Sequence, residues 1–376
     1  MQLSQKLPLC SSKRLCLYSK EGESKLKTVA RMALSNGMVV GEDVYSYQHE
    51  LICPVDTVVD EALIAKLARH SIMCVSIKEE IDYATTHFEK VRLSTEFRYF
   101  EFTYNDCMPT YRKIMVDFVE KGIPAPLNRL MDIYVKISSC ARNGEQLLDF
   151  LYNMLPSEDD LTHAHCLNSA LIAGVFGTWL GLSKEDIFLL IQCGFFYDIG
   201  KLRLPKELLW KPGKLTELEF TKLKTHTMLG FELLKNQNLN EHVIKSTLMH
   251  HERCDGSGYP SKLKSDQIDI FAKYTAIIDA YEAMTSARTY RQSLNPFQII
   301  ANFERDGYVK FDEHILRPIL YHIASTQLGF NARLSNGVEA EIMLINQNHL
   351  SRPLLKRGDE FIDLSTDPEL EIVAIF

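Results

Sequence analysis

A single carboxylate inside an apolar run most constrains how this chain can fold. In the segment IFLLIQCGFFYDIGK, Asp198 directly follows a run of mostly apolar residues that is typical of a buried helix. An unpaired ionised carboxylate is costly to bury, so the fold must bring a cation or a metal ion to it. Tyr197 stands immediately before Asp198, and Gly200 is expected to end the helix just after it.

Potential metal ligands recur about once per predicted helix around this carboxylate. From about residue 158 to 325 the chain shows apolar segments with helical spacing and few strand signals. Imidazole and carboxylate together suit iron, manganese or zinc, and helical proteins build two-metal sites from ligands on facing helices. Taken singly, each histidine is more often a surface residue or a hydrogen-bonded core residue. The candidate ligands are His165, Asp198, His226, His250, His251 and Asp279.

Neighbouring histidines do not automatically share one centre. His250 and His251 diverge by about 100° on a helix, so they can converge only where a helix is ending. The polar stretch DGSGYP follows them at once, and its glycines allow backbone to lie close to a ligand. A plain surface turn is the alternative. His163 lies about 200° around the helix from His165, so we do not expect both to bind one centre.

The sequence on either side of the helical region contains predicted strands as well as helices. Short strands in GMVVGEDVYSYQ and ELICPVDTVV, a helix in DEALIAKLARHSI and a strand at VSI predict a small α/β module. Further on, PAPLNRLMDIYVKISSCARNG predicts a helix that ends at Asn143-Gly144, and ELEFTKLKTHTMLGFELLK predicts another. After about residue 328, Ser-Asn-Gly between alternating segments predicts a hairpin, with FIDLS and LEIVAIF as later strands. The expected units are an α/β module (1–80), a helical linker (81–150), a helical metal-binding domain (151–326) and a β module (327–376).

Composition excludes some classes of protein. The formal net charge of −7 argues against a binder of long nucleic acids, which usually has a strong basic excess. No run of 18 apolar residues predicts a membrane span, and the first residues lack a signal-peptide pattern. The nine cysteines include no CxxC pair and are typical of free thiols. We therefore expect a cytoplasmic protein.

The motifs of the helical region resemble the HD-GYP family, a branch of the HD metal-dependent phosphohydrolases. The resemblance is carried by HCLNSALIAGVFGTWLGLS, YDIGKLRLPKELLWKPGKLTELEF, KTHTMLG, HHERCDGSGYP and AIIDAYEAMTSARTYR. It implies a mainly α fold, a helical HD-type bundle flanked by a small N-terminal α/β module and a small C-terminal β module. It also implies hydrolysis of cyclic di-GMP to pGpG or GMP in bacterial second-messenger signalling.

The resemblance implies a role for each matching residue. The six candidate ligands would hold two divalent metal ions, with iron expected first and manganese or zinc as alternatives. Asp198 would bridge the two ions, and Lys201 would reach a phosphate oxygen. The contacts implied for the nucleotide are Tyr259 of the GYP loop and the phosphate-binding Arg288 and Arg291. Arginine suits phosphate because its guanidinium forms paired hydrogen bonds.

The chain departs from the family pattern at three positions. Tyr197 stands where the family has a histidine ligand, and three interpretations are open. The phenol binds a metal, water fills the ligand position, or one metal site is weak and the domain binds without cleaving. Glu282 stands where the family often has aspartate, and Leu161 lacks the carboxylate that supports a third metal in some members. We therefore expect two metals at most.

Three functions follow from these considerations. The first is a cyclic di-GMP phosphodiesterase. The second is a degenerate, non-catalytic receptor or interaction module that binds metal and nucleotide or a protein partner. The third is a phosphohydrolase for a different cyclic dinucleotide. The resemblance also allows a GGDEF-type cyclase as a protein partner, and dimerisation through the N-terminal module would make the chain a homodimer.

Overall fold

The computed structural model divides the chain into two compact units, residues 1–84 and 85–376. The structure describes residues 26–31, 34, 38–46, 50–70, 72–78, 86–155, 161–209, 211, 213–286 and 294–376. The expected four-part division of the chain stays a prediction.

The first unit is a small α/β fold, as the sequence predicted. One sheet has the strand order β1-β5-β2, and β3 pairs with β4. Its apolar centre includes Leu63 and Leu67, which lie one helical turn apart on α1 and are both buried. The elements are β1 (Leu26–Ala30), β2 (Val39–Val40), β3 (Val44–Tyr45), β4 (Leu51–Cys53), α1 (Glu61–Arg69) and β5 (Cys74–Lys78).

The second unit is a helical bundle, which confirms the expected mainly α fold. No helix in the described ranges is long and apolar enough to span a membrane. A 3₁₀ helix, Ile199–Arg203, follows α7, and another, Ser265–Gln267, precedes α12. The α-helices are α2 (His87–Leu93), α3 (Thr95–Lys121), α4 (Leu127–Ser138), α5 (Gly144–Asn153), α6 (Leu161–Trp179), α7 (Lys184–Phe196), α8 (Lys206–Leu209), α9 (Glu217–Lys224), α10 (His226–Leu234), α11 (Glu241–Met249), α12 (Ile270–Thr285), α13 (Pro296–Lys310) and α14 (Glu313–Ser325).

A five-stranded antiparallel sheet closes the second unit, as the hairpin signal predicted. Its strand order is β10-β6-β7-β8-β9. The inward residues of the first hairpin, such as Leu334 and Ile342, belong to the same apolar core as the helices. The sheet and the bundle therefore share one core. The strands are β6 (Asn331–Leu334), β7 (Glu339–Leu344), β8 (Leu354–Arg357), β9 (Glu360–Asp363) and β10 (Ile372–Ile375).

Three local predictions were wrong. Asn143-Gly144 begins α5 instead of ending α4, because the Asn143 side chain accepts a hydrogen bond from the Gln146 amide at 3.0 Å and caps the new helix. The segment predicted as one helix breaks at Thr225, so His226 is the first residue of α10. Gly200 does not end α7, which stops at Phe196.

Helices α6 and α7 approach each other closely, and this contact sets the distance between the two segments that carry His165 and Asp198. A Cβ atom added at Gly194 would lie 2.5 Å from Ala170 Cα and 2.6 Å from Ala170 N. Both neighbours are backbone atoms, so neither can move aside without shifting α6.

We expect Gly194→Ala to lower the free energy of unfolding by about 1–3 kcal/mol, because the added methyl group would overpack the α6–α7 contact. Urea denaturation measures this change. The exposed residue Lys184 on the same helix offers a control, since Lys184→Ala should change stability by less than about 0.5 kcal/mol. Equal effects of the two substitutions would contradict the close contact.

Candidate metal centre

Asp198 is fully buried and lies between two groups of ligand-type side chains. Its Oδ1 lies 3.2 Å from His226 Nε2 and 3.5 Å from His250 Nε2. Its Oδ2 lies 3.2 Å from His165 Nε2. The two oxygens of one carboxylate thus face different groups. The first group comprises Asp198, His226, His250 and His251, and the second comprises His165, Asp198 and Asp279.

The local structure explains how residues distant in sequence meet here. Asp198 follows the last turn of α7, where the chain tightens into the first 3₁₀ helix. A Cβ atom at Gly200 would lie 1.9 Å from the His226 carbonyl oxygen, so glycine lets this turn lie against the start of α10. Helix α11 ends at Met249, which lets His250 and His251 converge as predicted.

The first group has the donor set of a cation site. His226 Nδ1 donates to the Leu223 carbonyl at 2.7 Å, and His250 Nδ1 donates to the Ser246 carbonyl at 3.0 Å. In the neutral form of each ring Nε2 therefore carries the lone pair, yet the two Nε2 atoms lie 3.3 Å apart and face Asp198 Oδ1. That oxygen is buried and accepts no hydrogen bond from the described residues. Three electron-pair donors aimed at one another fit a bound cation.

Burial keeps two histidines of this group, His250 and His251, available as neutral ligands. It lowers the pKa of His250 and, with the neighbouring His250 ring, lowers the pKa of His251 well below its usual value. Neutral imidazole is the form that binds metal ions.

In the second group, a buried carboxylate orients His165. Its Nδ1 donates to Glu282 Oε2, and its Nε2 lies 3.1 Å from Asp279 Oδ1. Burial lowers the pKa of His165, but Glu282, Asp198 and Asp279 outweigh it and raise the pKa well above its usual value. The same field of carboxylates favours a metal cation at Nε2.

A chain of buried hydrogen bonds extends from this histidine to α3. Asn168 Nδ2 donates to Glu282 Oε1 at 3.0 Å, and Tyr104 of α3 donates to Asn168 Oδ1 at 2.7 Å. Tyr111, also on α3, donates to the Phe195 carbonyl at 3.2 Å, close to Asp198 in sequence. Helix α3 therefore supports the two segments that carry His165 and Asp198.

Tyr197 lies among the ligands of the second group. Its hydroxyl lies 2.6 Å from His165 Nε2, 2.9 Å from Ser169 Oγ and 3.5 Å from Asp279 Oδ1. Burial and the charges of Asp279 and Asp198 raise the pKa of this phenol well above its usual value. The phenol is therefore neutral unless a cation binds beside it, which would favour the phenolate.

Lys201 and the GYP loop border the centre. Lys201 Nζ forms an ion pair with Asp198 Oδ2, and Lys201 and His165 line a cleft of about 300 Å³. The ring of Tyr259 stacks on His251 with ring centres 4.6 Å apart. Predicted contacts Lys201 and Tyr259 thus lie next to the ligands, whereas Arg288 and Arg291 lie outside the described residues.

Glu252 holds the GYP loop in place. It is 3% exposed, and its carboxylate accepts hydrogen bonds from the backbone amides of Ser261 at 2.6 Å and Leu263 at 2.9 Å. At Gly258 an added Cβ atom would lie 2.4 Å from the Arg253 amide nitrogen, so the loop folds back against its own start.

The structure brings all six candidate ligands together, with Tyr197 beside them, and leaves His163 outside both groups. Sequence analysis missed three supporting residues and treated Glu282 only as a departure from the family. Asn168 lies three residues after His165, a spacing that places both on one helix face. Glu252 stands inside the HHE triplet, which was a usable signal. Nothing in the sequence links Tyr104 to the centre.

We expect Glu282→Gln to weaken metal binding by about 10–100-fold, because a neutral amide holds His165 less firmly than a carboxylate. Metal affinity is measured by competition with a chromogenic chelator. Tyr104→Phe, one step further along the chain of hydrogen bonds, should have a smaller effect of the same sign. If both variants bind metal as tightly as the wild type, Glu282 does not orient a ligand.

We expect Glu252→Ala to lower the free energy of unfolding by about 1–3 kcal/mol, since two backbone amides would lose their buried acceptor. Thermal unfolding followed by circular dichroism measures the loss. The control is Asp255→Ala in the same loop, because Asp255 is exposed and bonds only to nearby Ser257 in the described contacts. A larger loss in the control would refute the role of Glu252.

Comparison with known proteins agrees with this geometry. The family model described as HD domain matches residues 149–315. The chain is 35% identical over 151 residues to the cyclic di-GMP phosphodiesterase response regulator RpfG of Xanthomonas campestris, covering 39% of this chain and 40% of that protein. It is 30% identical over 228 residues to the cyclic di-GMP phosphodiesterase PA4108 of Pseudomonas aeruginosa, covering 60% and 54%.

A third relative has a different named substrate. The chain is 36% identical over 143 residues to the 3'3'-cGAMP-specific phosphodiesterase 1 of Vibrio cholerae, covering 38% of this chain and 33% of that protein. The chain thus spans about half or less of the length of these curated relatives. Residues 149–315, which match the HD domain model, carry both ligand groups.

Proposed function

We propose that this chain is a metal-dependent phosphodiesterase that hydrolyses cyclic di-GMP to pGpG or GMP. The observation that carries the proposal is the position of Asp198, whose two oxygens face separate groups of ligands. The two relatives named as cyclic di-GMP phosphodiesterases support the substrate.

The ligand groups divide naturally between two ions. His226, His250 and His251 would hold one ion, His165 and Asp279 the other, and Asp198 would belong to both. Such N/O donor sets suit iron, which we favour, and also manganese or zinc. Two ions bound there would supply Lewis-acid chemistry that activates water and offsets the negative charge developing on a phosphodiester.

The protein's own residues would bind and orient the nucleotide. Lys201 lines the cleft beside the centre and can direct its ammonium group to a phosphate oxygen. Tyr259 stacks on His251 and presents an aromatic face close to the ligands. Arg288 and Arg291 are proposed phosphate contacts from the motif alone.

A non-catalytic receptor is the second candidate function, and Tyr197 is the reason. The phenol oxygen lies 2.6 Å from His165 Nε2 and therefore engages the nitrogen that the second ion would need. If metal binding cannot displace or ionise this phenol, the second site stays weak. The protein would then bind nucleotide or a signalling partner without turnover.

We expect steady hydrolysis of cyclic di-GMP by the metal-loaded protein, and Asp198→Ala should reduce the rate by at least about 100-fold because a shared ligand is lost. Product formation is followed by chromatography. Asp306→Ala removes an exposed aspartate on α13 and should leave the rate unchanged.

The same assay separates the candidate functions. Faster turnover of 3'3'-cGAMP than of cyclic di-GMP would replace the proposed substrate. No turnover of either nucleotide with iron, manganese or zinc would favour the receptor.

The metal content and the visible absorption of the protein test whether Tyr197 binds a metal ion. We expect two metal equivalents in the wild type and fewer in Tyr197→Phe, because the phenol oxygen lies 2.6 Å from His165 Nε2 and 3.5 Å from Asp279 Oδ1 of the second group. An iron-loaded wild type should also show visible phenolate-to-iron charge-transfer absorption that Tyr197→Phe lacks. Conversely, if Tyr197→His starts hydrolysis in a protein that is otherwise silent, the tyrosine is an inactivating substitution.

A further inference from the structure

Helix α9 presents an exposed aromatic ring beside the candidate metal centre. Phe220 of this helix is 46% exposed, and its ring meets the ring of Tyr259 edge to face with centres 6.4 Å apart. Tyr259 stacks in turn on His251, a candidate ligand. Two ring contacts therefore separate an accessible aromatic surface from the ion that His251 would hold. A single exposed ring is common on protein surfaces and carries no inference alone, so its surroundings decide its meaning.

A lysine ammonium group lies over both rings. Lys224 Nζ lies 5.1 Å from the centre of the Phe220 ring and 5.8 Å from that of Tyr259. An ammonium group within about 6 Å of a ring centre is attracted by the π electrons of the ring. The rings therefore hold this cation in place without neutralising its charge.

Lys224 also differs from the two lysines of the neighbouring cleft in its ion pairs. Lys201 is paired with Asp198, and Lys211 with Glu219. In the part of the chain that the structure describes, no carboxylate pairs with Lys224. Its charge is therefore available to an anion that binds beside the metal centre.

The ring and the ammonium group lie on one face of α9. Phe220 and Lys224 are four residues apart, a spacing that makes them neighbours on a helix surface. Leu223, by contrast, lines the cleft beside His165 and Lys201. Helix α9 thus lies between that cleft and the surface formed by Phe220 and Lys224, which we call the α9 surface.

We propose that the α9 surface binds the half of a cyclic dinucleotide that is not being cut. A base would stack on the exposed part of the Phe220 ring, and the Lys224 ammonium group would pair with the second phosphate. This inference rests on the proposed function, because it takes a cyclic dinucleotide as the ligand. It adds a selectivity that phosphate contacts alone do not supply, since the ions and Lys201 would bind any phosphodiester.

The α9 surface would select for bases without distinguishing among them. Every nucleobase has an aromatic face, so stacking tolerates changes of sequence. Stacking on Phe220 therefore suits cyclic di-GMP and 3'3'-cGAMP alike, and the choice between these two nucleotides would have to come from other contacts.

A fluorescent ring at position 220 tests stacking directly. The ligand is a phosphorothioate analogue of cyclic di-GMP that resists hydrolysis, and the protein is the metal-loaded full chain. The emission of Phe220→Trp should fall when the analogue binds, because a stacked guanine quenches tryptophan. Leu218→Trp is the matched control, since Leu218 is 84% exposed and lies about 200° around the same helix. Calorimetric binding of the analogue without quenching beyond that of the control would overturn the inference.

Truncation of the same ring should weaken binding. We expect Phe220→Ala to raise the Kd of the analogue at least about fivefold, the lower end for loss of one stacked base. KM for cyclic di-GMP should rise by a similar factor while kcat changes less than about twofold, because the uncut half is held equally in the ground state and the transition state. Phe220→Tyr keeps an aromatic face and should bind as the wild type does.

The ammonium group has its own matched pair of variants. Lys224→Ala should raise the Kd of the analogue at least about threefold, because a phosphate would lose a partly exposed cationic partner. Lys222→Ala removes the same charge from an exposed position of the same helix and should leave the Kd unchanged. Equal effects of these two substitutions would reduce Lys224 to a contribution to the overall charge and refute its contact with phosphate.

The outcomes separate this inference from the proposed function. If the wild type hydrolyses cyclic di-GMP but Phe220→Ala and Lys224→Ala bind the analogue normally, the phosphodiesterase stands and the α9 surface is not part of its site. If the wild type binds the analogue without turnover of cyclic di-GMP, and both variants bind more weakly, the phosphodiesterase fails and the α9 surface stands. If the wild type does not bind the analogue, the inference is overturned.

Discussion

The buried carboxylate of Asp198 is the interaction on which the rest of the helical unit depends. Burial alone would raise the pKa of this carboxyl group, but the ammonium group of Lys201 and the His165 ring beside Oδ2 lower it well below its usual range. An ionised carboxylate at 0% exposure is tolerable only if cationic or donor groups surround it. The α6–α7 contact, the turn at Gly200 and the abrupt end of α11 all serve to bring those groups within reach.

The support for this centre extends beyond the HD domain match. Helix α3 lies before residue 149, yet Tyr104 and Tyr111 donate hydrogen bonds that lead to His165 and to the segment before Asp198. Arg203, which ends the 3₁₀ helix after Asp198, also donates to the Val119 carbonyl of α3. Three contacts along one 27-residue helix therefore hold both ligand-bearing segments from outside the matched domain.

The sequence singled out the candidate ligands, which the structure brings together, but not the residues that support them, and the reason is physical. Ligands are few and chemically distinctive, and His165, Asp198 and Asp279 stand out against apolar helices. A supporting tyrosine such as Tyr104 looks like any core aromatic residue, because its function depends on a partner 64 positions away. The helix boundary at Asn143-Gly144 was predicted wrongly for a different reason. This pair can end one helix or cap the next, and only the hydrogen bond from the Gln146 amide to the Asn143 side chain decides between the two possibilities.

Helix α12 connects two cavities because different faces of it line each one. Glu282 and Ser286 line the cleft beside the candidate metal centre, whereas Tyr281 and Thr285 line a second cavity of about 560 Å³ that residues of α5 and α14 also border. Asp279 and Glu282 both act on His165 from this helix. Adjacent residues of one helix thus border a cavity outside the ligand groups and supply the carboxylates that contact His165.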